Sequence, residues 1–85
     1  MSLELIIQEQ IEITVCGVYL NWQIGLTTDP GTRRAHLGNP LDWLQWQVDS
    51  DDMAWNIVQY FVKRGMRFAG GNRSVAKKYV YLSPG

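Results

Sequence analysis

The passage from Trp22 to Pro40 joins a strand-like run to a helix with marked ends, and it constrains the fold more than any other part of the chain. Trp22–Thr27 is a short, mostly apolar run that predicts a strand. Asp29 can accept hydrogen bonds from free backbone N–H groups at a helix start, and Pro30 suits the first helical position. The Gly-Asn-Pro sequence that finishes at Pro40 stops the helix. The passage therefore predicts a strand followed directly by a short helix.

Two more strands are predicted upstream of this passage. Residues 3–7 and 11–18 largely alternate apolar and polar side chains, and the second run is rich in β-branched residues. Residues 20–21 are expected to turn the chain, so that the second of these strands pairs with Trp22–Thr27 as a hairpin. The N-terminal part of the chain is thus predicted to be β-structure.

The second half of the chain predicts the main helix and three extended segments. Ser50 opens a helix that runs to Arg64, because acids in its first turn and bases in its last suit the helix dipole. Gly65 lies just beyond, as expected where a helix stops. Extended segments are predicted at residues 42–48, 66–69 and 78–82, with a loop at 70–72. The buried stripe of the helix is predicted to be Ala54, Ile57, Val58, Phe61 and Val62.

Length and composition limit the class of protein. The chain has 85 residues, of which 46% are hydrophobic, and this suffices for one core but not for two. The single cysteine, Cys16, excludes an internal disulfide and a cysteine-based zinc site. The N-terminus lacks signal-peptide features and no apolar run has membrane-spanning length, so a cytoplasmic protein without a membrane partner is expected. We predict one α+β domain over residues 1–85: a small, mainly antiparallel sheet of three to five strands with one long and one short helix.

Charge is unevenly distributed along the chain although the formal net charge is zero. No acid follows Asp52, whereas six of the eight bases follow Val62. A one-sided basic surface can bind phosphates by releasing counterions, but a solvated basic tail explains the same pattern and a neutral total weakens the case. The candidate nucleic-acid-binding residues are Arg33, Arg34, Lys63, Arg64, Arg67, Arg73, Lys77 and Lys78.

Short motifs along the chain resemble those of the GIY-YIG nuclease family. That family pairs a GIY strand with a YIG strand, and an Arg and often a His follow on the next helix. The resemblance covers residues 17–82, and its most specific part is the sequence IGLTTDPGTRR, which begins at Ile24. The matching residues are Gly17, Val18, Tyr19, Gln23, Ile24, Gly25, Thr27, Asp29, Pro30, Arg33 and His36.

The resemblance implies a site for phosphodiester hydrolysis. In the family a Glu on a later helix holds one divalent metal ion such as Mg²⁺, which stabilises the developing charge. By matching motifs, Tyr19 would help to activate the attacking water, Arg33 would clamp the phosphate, and His36 would be the helix histidine. Tyr19 and Arg33 are therefore expected to converge on one phosphate-sized hollow.

This chain departs from the family pattern at the metal position. The position of the expected Glu is occupied by Asn56, or alternatively by Gln59, and an amide is a neutral, weak ligand for a hard cation that prefers carboxylate oxygens. The second motif begins with Gln23 where the family has Tyr. The metal ligand is thus unknown. We predict a degenerate domain that binds DNA or RNA but has no nuclease activity and no cofactor.

Two alternatives remain open at this stage. An atypical acid, Asp51 or Asp52, would make the chain an active Mg²⁺-dependent endonuclease, although helix capping explains both acids more simply. A protein-interaction module, such as a homodimer, would use residues 3–7 as an exposed edge strand. Tyr19 and His36 also have structural explanations besides catalytic ones. Tyr19 is typical of a half-buried strand position, and His36 is typical of a helix surface.

Overall fold

The computed structural model describes residues 2–70 and 79–84, which form three α-helices and a four-stranded mixed sheet. The prediction of a small α+β fold is confirmed. Two of the helices are long, however, where only one was predicted. In chain order the elements are helix α1 (Leu3–Val15), a short 3-10 helix (Tyr19–Asn21), strand β1 (Trp22–Thr27), helix α2 (Pro30–His36), strand β2 (Leu44–Gln47), helix α3 (Asp51–Val62), strand β3 (Arg67–Gly70) and strand β4 (Tyr79–Pro84).

The sheet has the strand order β2-β4-β1-β3, with β1 and β4 in the centre. Strand β4 pairs antiparallel with both β1 and β2, whereas β3 runs parallel to β1. Gly25 lies opposite Tyr81 across the central pair of strands. The four strands fall within or close to predicted extended segments, and the sheet is mainly antiparallel as expected.

The N-terminal segment corrects the prediction, because residues 3–15 form helix α1 instead of two strands. The Ser2 hydroxyl caps the helix by accepting a hydrogen bond from the Leu5 N–H at 3.2 Å. The buried residues of α1 are Ile7, Ile11 and Val15, which recur at the four-residue spacing of one helix face. The edge strand that motivated a homodimer is therefore absent, and the oligomeric state stays a prediction.

The predicted hairpin before β1 is also wrong. Cys16 ends α1 in the left-handed conformation with φ 51°, so it is not a strand residue, and Gly17 follows with φ 79°. Tyr19–Asn21 then forms a single 3-10 turn. The chain thus enters β1 directly from a helical connection, and the strand expected at Tyr19 does not exist.

Helices α1 and α3 cover one face of the sheet and enclose the core there. Ile24, Leu26, Val80 and Leu82 of the central strands are all buried in this core. Phe61 of α3 is fully buried in the same cluster, whereas Val62, which was predicted to be buried, is 39% exposed. Trp46 and Trp55 are partly buried and pack against the cluster. None of the helices within the described residues combines the length and the apolar character needed to cross a membrane.

The short helix α2 contacts the opposite face of the sheet, which we call the α2 face, through the Arg33 side chain. Strand side chains alternate between faces, so Gly25 and Tyr81 lie here, between neighbours that point into the core. Asp29 caps α2 as predicted, since Oδ1 accepts from the Thr32 N–H at 3.2 Å and Oδ2 accepts from the Thr32 hydroxyl at 2.8 Å. The predicted helix start and stop are both confirmed, with the helix ending at His36.

Candidate nucleic-acid interface

Arg33 is half-buried on the α2 face and its guanidinium group is held by two neutral oxygens. Nε donates to the Tyr81 hydroxyl at 2.9 Å, and Nη2 donates to the carbonyl oxygen of Ala69 at 2.6 Å. The Cζ atom also lies 5.8 Å from the centroid of the Tyr81 ring. These contacts tie helix α2 to strands β3 and β4 and fix the position of one positive charge.

Arg34, the next residue of α2, is fixed in a similar way. Its Nε and Nη2 both donate to the carbonyl oxygen of Pro40, at 3.2 and 3.0 Å. Among the described residues, neither Arg33 nor Arg34 has a carboxylate within ion-pair distance. The two side chains are therefore ordered by hydrogen bonds that leave their charges unneutralised.

The α2 face carries further groups that can contact a polymer of phosphates and bases. Arg67 lies opposite Gln23 in the sheet register, and this places its exposed side chain on the same face. The Trp43 indole stacks on the Tyr81 ring at 4.8 Å between centroids with an interplanar angle of 10°. Tyr81 is itself fully buried, so Trp43 is the aromatic group of this pair that remains partly accessible.

Tyr19 lies on the other side of the sheet from Arg33, in contrast to the predicted convergence. The Tyr19 ring packs near Phe61 in the layer of α1 and α3, with 6.3 Å between centroids. Its hydroxyl donates to Glu12 Oε2 at 2.8 Å, and Arg64 Nε lies 3.9 Å from Glu12 Oε1. A single phosphate therefore cannot contact both of the residues that the nuclease resemblance brings together.

The hydrogen bond to Glu12 raises the pKa of the Tyr19 hydroxyl, and partial desolvation and the Glu12 charge act in the same direction. A raised pKa keeps the proton on the oxygen, so the phenolate form that could act as a base is rarer than in an ordinary tyrosine. The hydrogen bond from Tyr19 to Glu12 stabilises the folded protein fully at pH values below the pKa that Tyr19 has in the unfolded chain. This stabilisation is lost as the pH rises through the higher pKa of Tyr19 in the folded protein.

We expect Tyr19 to be the tyrosine whose ionisation moves to lower pH when Glu12 is replaced by glutamine. Removing the carboxylate charge removes its direct repulsion of the phenolate. NMR titration of ¹³Cζ-labelled tyrosine measures the shift, and Tyr19→Phe assigns the resonance. Unchanged ionisation of Tyr19 in Glu12→Gln would contradict the contact.

The remaining candidate residues are dispersed. His36 ends α2 and is exposed, and Asn56 is exposed on α3. Lys63 and Arg64 follow the end of α3, and Arg64 lies 3.6 Å above the Tyr60 ring. No group of three or more potential metal ligands occurs in the described part of the chain. Three of the predicted basic residues, Arg73, Lys77 and Lys78, lie outside the described residues, as do residues 71–72 of the predicted loop.

The chain matches no protein-family model, and neither a curated protein nor a solved structure matches it. The resemblance to the GIY-YIG nucleases thus stays a prediction. It is now carried by the segment that forms β1 and α2, because Gly17, Val18 and Tyr19 do not form the first of the two motif strands.

Sequence reasoning missed the group that organises the site, Tyr81. This residue falls within the extended segment predicted at residues 78–82, but no role was assigned to it. The available signal was Gly25, whose missing side chain leaves space for a ring across the central strand pair.

Proposed function

We propose that this protein binds a single strand of nucleic acid on the α2 face without cleaving it. The observation that carries the proposal is the pair of guanidinium groups on α2, which neutral oxygens hold in place and no described carboxylate neutralises. A fixed, unneutralised cation loses little side-chain entropy when it meets a phosphate. Two such cations on one short helix can contact different phosphates of a single backbone.

Donor capacity supports a phosphate contact at these residues. A guanidinium group has five N–H donors, and Arg33 uses two of them within the protein. The remaining donors can bind phosphate oxygens without breaking the contacts that orient the side chain. Arg67 supplies a third charge on the same face, so the proposed path for the backbone runs over α2 and β3.

A single strand is favoured over a duplex because the same face holds a partly accessible indole. Trp43 is supported from behind by the stacked Tyr81 ring, which fixes its orientation. Unpaired bases can stack on such a ring, and each stack contributes about 1–3 kcal/mol in proteins that bind single strands. In a duplex the bases are already stacked on one another and do not offer this contact.

The absence of cleavage is part of the proposal, and two observations support it. Tyr19 and Arg33 lie on opposite faces of the sheet, and the position of the family's metal-binding Glu is an exposed amide, Asn56. We therefore expect a labelled oligonucleotide to stay intact with Mg²⁺ or Mn²⁺. Nicking that EDTA abolishes and that requires Asp51 or Asp52 would establish the endonuclease alternative instead.

Arg34→Gln and Arg67→Gln should each weaken binding of a fluorescein-labelled 20-nucleotide strand. Loss of one phosphate contact should lower the slope of log K against log salt by about 0.7 and reduce affinity several-fold at low salt. Fluorescence anisotropy at several salt concentrations gives both quantities. Arg33 is a less suitable test site, because its hydrogen bonds to Tyr81 and Ala69 join α2 to two strands, whereas those of Arg34 reach only the nearby Pro40 carbonyl oxygen.

Lys63→Gln is the matched control for these two variants. It removes one exposed positive charge just beyond the end of α3, the helix that covers the opposite face. Binding and salt slope should stay close to those of the unmodified protein. Equal weakening by Lys63→Gln, or no binding even at low ionic strength, would refute the α2-face proposal.

A further inference from the structure

A hollow of about 220 Å³ lies at the end of the sheet where α1, β1 and β2 approach one another. Thr14 of α1 and Trp22, the first residue of β1, contribute to its wall. The segment that leads into β2 supplies the rest, and its Leu41 side chain is 94% exposed. The full lining is Thr14, Trp22, Leu41, Asp42, Trp43 and Leu44.

The polar groups around this hollow favour a positively charged occupant. The Thr14 hydroxyl already donates to the Gln10 carbonyl oxygen at 2.9 Å, and Trp43 Nε1 donates to Gln45 Oε1 at 3.0 Å. The Asp42 carboxylate is exposed and has no hydrogen-bond or ion-pair partner among the described residues. None of the six lining residues is basic, so the one formal charge at the hollow is negative.

We propose that this hollow binds a small alkylated ammonium ion. Two tryptophan side chains line the hollow, and Trp is the most effective side chain for attracting a cation to its ring. The methyl groups of such an ion would contact Leu41 and Leu44, while Asp42 would balance its charge. This site does not use the guanidinium pair of α2, although it shares Trp43 with the proposed strand-binding face.

Other classes of ligand fit the hollow less well. Phosphates and carboxylates would be repelled by Asp42 and would find no basic partner among the lining residues. Ca²⁺ and Mg²⁺ require several oxygen ligands, whereas the side chains here offer one carboxylate and one hydroxyl oxygen. The volume of the hollow equals that of roughly seven water molecules in the liquid, at about 30 Å³ each. The hollow is therefore larger than a trimethylammonium group.

Choline and its neutral carbon analogue 3,3-dimethyl-1-butanol provide a direct test, because the two share a shape and differ in charge. We expect choline to shift the indole N–H resonances of Trp22 and Trp43 with a dissociation constant in the millimolar range. The neutral alcohol should bind about fivefold or more weakly. The titrations are run at constant ionic strength with sodium chloride as the balancing salt.

Choline titrations of single-residue variants test whether the ion binds in this hollow. Asp42→Asn should weaken choline binding about fivefold, while Asp49→Asn, which removes another exposed acid outside the hollow, should leave it unchanged. Trp22→Phe retains an aromatic side chain and should weaken binding less than Asp42→Asn. Equal binding of the neutral alcohol, unshifted indole resonances, or equal weakening by Asp49→Asn would each overturn the proposal.

Discussion

Ile11→Ala should lower the free energy of unfolding by about 3 kcal/mol, whereas Ile13→Ala should change it by about 0.5 kcal/mol or less. Ile11 is fully buried in the core beside α3, and Ile13 is 68% exposed on the outer side of α1. Truncation at Ile11 leaves a cavity and removes buried apolar surface. Truncation at Ile13 removes methyl groups that largely contact water.

The comparison of these two variants also distinguishes a helix from a strand. In a strand, residues two apart share a face, so both isoleucines would be buried or exposed together. In helix α1 they lie on different sides. Urea denaturation followed by tryptophan fluorescence measures both changes, and circular dichroism checks that the variants are folded. Similar destabilisation by the two substitutions would contradict helix α1.

Gly25→Ala should destabilise the protein by about 3 kcal/mol, near the upper end of the usual cost of overpacking. A Cβ atom at this position would lie 2.5 Å from Cζ and 2.7 Å from Cε2 of Tyr81. The Tyr81 ring cannot easily move away, because Trp43 stacks on it and Arg33 binds its hydroxyl. Relief of the overlap would therefore displace β4 or break the contacts that orient Arg33.

Gly31→Ala is the matched control, since it makes the same chemical change in helix α2. Its Cβ would meet only Asp29 Oδ1, at an ordinary distance of 3.6 Å. Alanine favours helices over glycine, so this variant should be neutral or more stable by up to about 1 kcal/mol. In a Tyr81→Leu background the cost of Gly25→Ala should fall by more than 1 kcal/mol. Full retention of that cost would show that Tyr81 is not the obstacle.

The two proposed sites place opposite charges on neighbouring surfaces. The α2 face carries Arg33 and Arg34 without described acidic partners. The hollow that Trp43 helps to line carries Asp42, which has no partner in the part of the chain that the structure describes. Phosphates are therefore attracted to one surface and organic cations to the other. Choline at saturating concentration should consequently leave the salt slope of oligonucleotide binding unchanged.

Local signals sufficed for helices α2 and α3, whereas the equally local Ser2 cap of α1 was not recognised. Asp29 and Ser50 cap α2 and α3 through bonds to N–H groups three residues later, so the sequence around each cap contains both partners. The strand Trp22–Thr27 was predicted with its observed bounds. The proposed arginine pair was also visible in the sequence, because consecutive arginines on a short helix need no distant residue to be adjacent.

The N-terminal segment could not be assigned from its own pattern. Ile11, Ile13 and Val15 fit the two-residue period of a strand, while Ile7, Ile11 and Val15 fit the four-residue spacing of a helix. The first set also has the β-branched side chains that favour strands. Packing decides between them, because a helix here buries Ile7, Ile11 and Val15 against α3 and the sheet.

The amino-acid sequence by itself determined the N-terminal caps of α2 and α3, the central strands and the positions of the candidate arginines, since these depend on neighbours along the chain. Only the tertiary structure decided that α1 is a helix, that Tyr19 and Arg33 lie on opposite faces, and that Tyr81 meets Arg33 from 48 residues away. Such contacts depend on strand order and on the face each side chain occupies. Both are set by the burial of the whole core, to which every element contributes.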